Sequence, residues 1–149
     1  MLLKYQAAVQ CIYKHCCSGV RYQFNMAPIY HYPSYREMLD ADLLASEDNC
    51  CQYLYDVGVL PQQRRCLTCS EWMYIRPCSK ALYREGTCWK CCDNTHSLRS
   101  GSILEKKVLT YRKFIDLLSE FSRDSSVRNA AQTCGLSQRT VRHFYYTLR

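Results

Sequence analysis

The sequence has no long apolar run, and this lack limits the classes of protein to which it can belong. Nowhere does it approach the roughly 18 consecutive apolar residues that a membrane-spanning helix needs. The first ten residues, MLLKYQAAVQ, lack the apolar core and the small-residue cleavage site of a secretory signal peptide. We therefore expect an intracellular protein that has no membrane partner.

Cysteine is abundant, with twelve in 149 residues. In a secreted chain this number would indicate a disulfide scaffold, but in a reduced compartment it favours one metal-bound set of thiols. Two Cys-x-x-Cys pairs, CLTC and CWKC, are separated by eighteen residues. That spacing predicts a four-cysteine site in which thiolates close a tetrahedral shell around one structural Zn²⁺. The predicted ligands are Cys66, Cys69, Cys88 and Cys91.

The other cysteines are predicted to have different roles. Cys50 and Cys51 fit the apolar face of a helix, where free thiols pack as small hydrophobic groups. Cys78 and Cys92 are interpreted as spare sulfurs. Cys92 directly follows Cys91 and could compete for the metal, but the two-residue spacing favours Cys91. The alternative for the paired cysteines is that they are free core thiols or disulfides.

The residues around the cysteine pairs predict a zinc ribbon, in which a β-hairpin joins two cysteine knuckles. Its predicted elements are a strand, a turn and two further strands, at 72–75, 77–80, 82–87 and 96–99. Before the ribbon, apolar spacing predicts one helix from Ser34 and a second that Ser46 caps and Gly58 ends. We expect these helices to pack beside the ribbon.

The last third of the sequence is predicted to be helical. Thr110 can cap an amphipathic helix that runs to about Arg123. Asp116, Glu120 and Asp124 recur every four residues on its opposite side. Catalytic carboxylates have to converge from different elements, whereas these three line one face, so we interpret them as a solvated stripe.

Residues 126–149 have the pattern of a helix-turn-helix. Its core and turn positions are Ala130, Ala131, Gly135, Leu136, Val141, Phe144 and Leu148. Ser137 can cap the second helix, which leaves on its outer face Gln138, Arg139, Arg142 and His143. In this motif the second helix enters the major groove, and its early residues contact base edges. The alternative is a plain helical hairpin with exposed basic groups.

Charge is distributed unevenly along the chain. The net charge is −2 over residues 1–61, +3 over 62–94 and +6 over 95–149, which gives +7 in all. A basic C-terminal half beside a zinc site points to double-stranded DNA as the partner. The predicted contacts to backbone phosphates are Lys106, Lys107, Arg112 and Lys113. A solvated basic face without a partner is the alternative.

Together these observations predict an α+β fold, with a small zinc ribbon between an N-terminal helical segment and a C-terminal helix-turn-helix bundle. The predicted parts are a weakly ordered extension at 1–33, a helical lead-in at 34–61, the ribbon at 62–104 and the DNA-binding helices at 105–149. We expect the extension to be dispensable for folding of the remainder.

The runs CLTC…CWKC, SLRSGSILEKKVLTYRKFIDLLSEF and AAQTCGLSQRTVRHFYYTLR together resemble the N-terminal half of a DNA transposase. The similarity is to the Merlin superfamily and its bacterial insertion-sequence relatives, and it covers roughly residues 34–149. It implies that the ribbon and the helix-turn-helix bind the terminal inverted repeats of a transposable element. It also implies a nuclear role in DNA transposition, with a homo-oligomer or a separate catalytic subunit as partner.

Departures from the family pattern occur at four positions, Ser70, Cys92, Leu104 and Lys107. In the family, an RNase H-like domain with metal-binding acids follows this region, and the sequence up to Arg149 holds no such acidic triad. We therefore expect the chain to bind DNA without being an enzyme, as a truncated copy or one domain of a split gene product. The alternative from another class is a zinc-ribbon module for protein interaction or transcriptional regulation.

Overall fold

The computed structural model describes residue 42, residues 44–79 and residues 86–149. The predicted extension at 1–33, the first lead-in helix and most of the predicted strand at 82–87 lie outside these residues. The described residues form a mixed α+β fold with four helices and a small antiparallel sheet of three strands. None of the described helices has the length and apolar character needed to cross a membrane.

Each of the four described helices begins directly after a serine or threonine N-cap. They are α1 (Glu47–Asp56), α2 (Tyr111–Ser122), α3 (Val127–Cys134) and α4 (Gln138–Thr147). Each follows a serine or threonine whose side-chain oxygen accepts the amide three residues on, namely Ser46, Thr110, Ser126 and Ser137. The first amides of a helix have no internal acceptor, so these caps decide where each helix starts. The predicted caps at Ser46, Thr110 and Ser137 are confirmed.

The helices share one core. Val141, Phe144 and Leu148 of the last helical segment are buried, as predicted, and the Phe144 ring lies 5.6 Å from the ring of Phe114 on α2. Full burial of a side chain of this size contributes about 1.5–3 kcal/mol. Helix α1 packs on α2 and adds Leu54 to this core. The described part of the lead-in, residues 44–61, therefore contributes to the helical core.

The sheet has the order β1-β2-β3, with β1 at Tyr74–Pro77, β2 at Thr87–Cys91 and β3 at Asn94–Ser97. Both pairs are antiparallel, and Trp89 lies opposite Ile75 on one side and His96 on the other. The second predicted strand ended at 87, whereas β2 begins there. A second buried cluster lies on this sheet and contains Cys66, Met73, Trp89, Cys91 and Leu98. Cys51 and Tyr55 of α1 pack against both clusters.

A buried arginine joins the sheet to the helices. Arg99 is only 7% exposed, and its guanidinium lies 4.2 Å from the centre of the Tyr111 ring. Its Nη1 donates hydrogen bonds to the carbonyl oxygens of Lys107 and Leu109. These bonds satisfy a buried charge that would otherwise be costly. The extended segment before α2 is thereby held against the core.

The acidic stripe predicted on α2 is not fully solvated. The side chain of Glu120 is only 10% exposed and forms an ion pair with Arg123 at 3.3 Å. The cause is α4, whose Tyr145 ring packs 5.1 Å from the ring of the neighbouring Phe121. Asp116 is partly buried and pairs with Arg112, also at 3.3 Å. A docked helix thus covers part of a face that periodicity alone assigns to water.

Candidate metal centre and candidate nucleic-acid interface

The first Cys-x-x-Cys pair lies in a tight turn. The amide of Cys66 donates to the carbonyl of Glu71 at 2.8 Å, and the amide of Ser70 donates back to Cys66 at 2.9 Å. Ser70 has a φ of 61°, the left-handed conformation that glycine adopts most easily. A serine at this position is therefore compatible with the turn. The turn lets two sulfurs three residues apart lie on the same side of the loop.

Four sulfurs converge at this turn. The Sγ atoms of Cys66, Cys69, Cys91 and Cys92 all lie within 4.8 Å of one another. The Cys69 sulfur is 3.3 Å from that of Cys91 and 3.4 Å from that of Cys92, and the last two are 3.7 Å apart. These four groups lie close enough to hold one metal ion. Three of them belong to the predicted ligand set.

The structure places Cys88, the fourth predicted ligand, outside this cluster. Strand β2 runs through the second pair, so that Cys88 lies opposite Ser97 and Cys91 lies opposite Asn94. Side chains alternate between the two faces of a strand, and residues three apart therefore point to opposite faces. Only Cys91 can share the face of Trp89 and the second cluster. The prediction from cysteine spacing assumed a knuckle turn from Cys88 to Cys91, where the chain forms strand β2 instead.

Cys92, interpreted from the sequence as a spare sulfur, takes the place of Cys88 in the cluster. It begins the two-residue connection from β2 to β3 and has a φ of 50°. Asn94 follows this turn and donates from Nδ2 to Thr68 Oγ1 at 2.9 Å and to Cys66 Sγ at 3.6 Å. The Asn94 side chain therefore holds the β2–β3 hairpin against the turn that carries Cys66 and Cys69. The sequence signal for this role, a polar amide just after the cysteines, was missed.

The sulfurs differ in acidity. Backbone N–H groups of Cys69 and Thr68 point at the Cys66 sulfur and lower its pKa to about 6. The pKa of Cys91 is raised to about 12, first because it shares a hydrogen bond with the Cys69 thiol and then because of burial. The contact with Cys69 also raises the pKa of Cys92. Several thiolates at this separation repel one another, and a bound cation would offset that repulsion.

The second candidate site is the outer face of α4. All four residues predicted there are exposed, namely Gln138, Arg139, Arg142 and His143. The left-handed Gly135, with a φ of 60°, ends α3, and α4 begins three residues later. Burial of Val141 and Phe144 fixes the rotation of α4 about its axis. The two arginines therefore point away from the core.

Of the four predicted phosphate contacts, the structure exposes three and engages the fourth in contacts within the fold. Lys106, Lys107 and Lys113 are exposed. Arg112 is instead tied down, because its Nη1 donates to the carbonyl of Leu44 at 2.6 Å and its Nε pairs with Asp116. The spacing of charges cannot distinguish a guanidinium that bonds a neighbouring segment of the fold from one that faces solvent. Arg112 therefore has a structural role, because it joins α2 to the backbone just before α1.

A scan against protein-family models, a search of curated proteins and a search of solved structures each found no match to this chain. The chemistry of its own side chains is therefore the basis for a function. Two features stand out in the described residues. One is the cluster of four sulfurs. The other is the exposed basic face of α4, beside a lysine-rich segment that carries Lys106 and Lys107.

Proposed function

We propose that this chain is a zinc-dependent module that binds double-stranded DNA. The observation that carries the proposal is the division of α4 into a buried face and an exposed face with Gln138, Arg139 and Arg142 near its start. The second helix of a helix-turn-helix lies in the major groove in this orientation. Arginine bonds guanine O6 and N7 in a bidentate manner, and glutamine suits adenine. This helix supplies the sequence preference.

Zinc is the proposed metal. Four thiolates arranged tetrahedrally about 2.3 Å from Zn²⁺ have sulfurs about 3.8 Å apart. The closest contacts of the cluster, from 3.3 to 3.7 Å, are near that value. Cys66, Cys69, Cys91 and Cys92 fill all four positions, and a closed shell leaves no place for a catalytic water. The metal therefore stabilises the hairpins, which makes the region a zinc ribbon.

The lysines supply the part of the affinity that does not depend on sequence. Each cation that neutralises a phosphate releases counterions, so that binding weakens as salt concentration rises. Lys106, Lys107 and Lys113 are exposed next to the start of α4. A protein with this division of roles uses lysines to bind any duplex and arginines to choose among duplexes.

The resemblance to Merlin-superfamily transposases supports a specific DNA target. We propose that the target is the terminal inverted repeats of a transposable element, and that a separate RNase H-like domain supplies catalysis. The Ser-x-Arg-x-Gly-Ser run of the resemblance fits a structural role. In it, Arg99 holds the lysine-rich segment, and Gly101, with a φ of 84°, lies in the turn between sheet and helices.

The test is a titration of the metal-loaded protein with a labelled DNA duplex at several salt concentrations, read by fluorescence anisotropy. We expect the logarithm of the binding constant to fall linearly with the logarithm of salt concentration, with a slope of roughly −0.9 per phosphate contact. A protein with both Arg139 and Arg142 changed to glutamate is the matched control, because both positions are exposed and the core is unchanged. Equal binding by the control would exclude α4 as the DNA-binding helix.

A second candidate function has its own observation. The sheet side of the molecule exposes large apolar side chains, with Leu67 87% exposed, Tyr74 58% and Trp72 50%. The edge strand β1 lies among them, and exposed edges and apolar patches pair with other proteins. A docking module of this kind would bind with little dependence on salt. The same salt titration, with DNA and with the candidate protein, separates the two functions.

A further inference from the structure

A pocket of about 450 Å³ lies between the segment before α2, the first turn of α2, the turn before α4 and one side of α4. Three lysines line it, Lys106, Lys107 and Lys113, and its apolar wall includes Val108, Leu136 and Phe144. None of its lining residues is acidic. The pocket thus combines a concentrated positive charge with an apolar wall.

The charge in this pocket is not neutralised by the nearest acid in sequence. The carboxylate of Glu105 accepts the backbone amide of Gly101 at 2.8 Å. Lys113 donates from Nζ to the carbonyl of Gly135 at 3.4 Å, and an ammonium group has three donors. Its remaining donors can therefore bond a ligand. Three lysines that line one pocket, with no acidic residue in its lining, attract an anion.

The apolar wall narrows the choice of anion. Val108 is 80% exposed and presents an apolar surface beside two lysines at the rim of the pocket. An inorganic anion makes no use of such a surface, whereas pockets of about 300–1,000 Å³ typically bury molecules with both apolar and polar parts. A sugar–phosphate unit has both, an anionic phosphodiester and the carbon face of a deoxyribose. Its chemistry fits the lysines and the valine together.

The rim of the pocket is held in place by the core. Arg99 bonds the carbonyl oxygens of Lys107 and Leu109, so that Val108 is fixed between two anchored residues. Lys106 has a φ of 58°, a left-handed backbone that only surrounding structure maintains in a residue other than glycine. A rim that is already ordered loses little conformational freedom when a ligand binds.

We infer that this pocket binds one sugar–phosphate unit of the DNA backbone that flanks the groove occupied by α4. The inference rests on the proposed DNA-binding function and names the place where the backbone is clamped. Thr140 of α4 lines the pocket and directly follows Arg139. A backbone strand in the pocket is therefore adjacent to the helix that reads the bases.

The test replaces one backbone phosphate at a time with a neutral methylphosphonate in a duplex that the protein binds. For the unchanged protein we expect one or two positions at which binding weakens about tenfold or more, the loss for a charge-assisted hydrogen bond. We expect Lys113→Gln to bind the unmodified duplex more weakly. A methylphosphonate at the sensitive positions should then cause no further loss of binding. Arg149→Gln removes a cation outside the pocket, so a methylphosphonate should weaken its binding as much as it weakens binding by the unchanged protein.

Val108→Glu is the second variant, and because Val108 is 80% exposed its folding should be unaffected. It places a carboxylate in the pocket and should abolish the sensitivity in the same way. If both variants keep the full penalty at every position, the pocket is not the phosphate site, although DNA binding stands. If the unchanged protein binds no duplex, the proposed function and this inference both fail. Saturable binding of free thymidine monophosphate, followed by NMR at the Val108 methyl groups, would instead make the pocket a nucleotide site and overturn the inference.

Discussion

The carboxylate of Glu47 caps a helix that begins 64 residues later, at Tyr111. Its Oε2 accepts the backbone amide of Tyr111 at 2.9 Å, and its Oε1 accepts that of Arg112 at 3.2 Å. In return, Arg112 donates to the carbonyl of Leu44 at 2.6 Å. A side chain of the first turn of α1 thus caps α2, and a side chain of the first turn of α2 bonds the backbone just before α1. This exchange ties the segment before the sheet to the helices after it.

Replacing Glu47 with alanine should therefore destabilise α2 as well as α1. Loss of a capping acceptor costs about 1 kcal/mol, within a range of roughly 0.5–2 kcal/mol. Asp48→Ala is the matched control, because both acids lie in the first turn of α1 and favour its positive end equally. Denaturant unfolding of the two variants measures the difference. If they lose the same stability, the bond from Glu47 to α2 contributes nothing.

The helices could be predicted from the sequence because their signals are local. Ser46, Thr110 and Ser137 cap the helices that follow them, and Gly135 ends α3 in the left-handed conformation. A cap and an apolar stripe are each contained in a few residues, so no knowledge of the rest of the fold is needed. The capping role of Glu47 toward α2 could not be predicted, because its partners are distant in the chain.

The metal ligands could be predicted only in part, because their choice depends on strand register. The spacing of Cys88 and Cys91 fits a knuckle as well as it fits a strand. The pairing of β2 with β3 decides the matter, since it extends the strand to Cys91, opposite Asn94, and leaves Cys92 in the turn. Register is a long-range property, and a shift of one residue exchanges the two faces of a strand.

Exchange of single cysteines for serine distinguishes the two ligand sets. Cys92→Ser should lower the zinc content well below one ion per chain, because its sulfur belongs to the cluster. Cys88→Ser should keep the zinc, since its side chain lies on the other face of β2. Elemental analysis of the purified variants gives the stoichiometry, and the cobalt-substituted forms show whether four thiolates remain. Zinc lost from Cys88→Ser but retained in Cys92→Ser would restore the set predicted from spacing and require a different register for β2.

Removal of the metal by a chelator should expose Trp89. Its side chain is only 2% exposed and shares a buried cluster with Cys66 and Cys91, so the hairpins that cover it depend on the sulfur cluster. We expect its fluorescence to shift to longer wavelength, in proportion to the metal released. Trp72→Phe removes the signal of the other tryptophan, which is 50% exposed. Emission that stays unchanged in the metal-free protein would mean that packing alone holds the hairpins.

The turn between α3 and α4 should be sensitive to a side chain at Gly135. Its φ of 60° is left-handed, and alanine there should destabilise the protein by about 1–2 kcal/mol. A methyl group would meet nothing closer than the Lys113 Nζ at 3.8 Å, so the cost arises from the backbone and not from a clash. Gly135→Asn should lose less stability, because asparagine adopts this conformation more readily. Thermal unfolding of the two variants gives the comparison, and equal losses would indicate crowding.

Arg139 and Arg142 should carry the choice of DNA sequence. They are three residues apart, so they share a helix face, and both are exposed while Val141 between them is buried. Either arginine changed to alanine should lose about 1–3 kcal/mol on a duplex selected from a random library and little on shuffled DNA. Lys107→Gln is the contrasting variant, and it should weaken both duplexes alike and lower the salt slope by about 1. Anisotropy titrations of each variant with both duplexes measure these effects. Equal losses on the two duplexes for the arginine variants would make these residues backbone contacts, and the reading of sequence would have to be assigned to other residues.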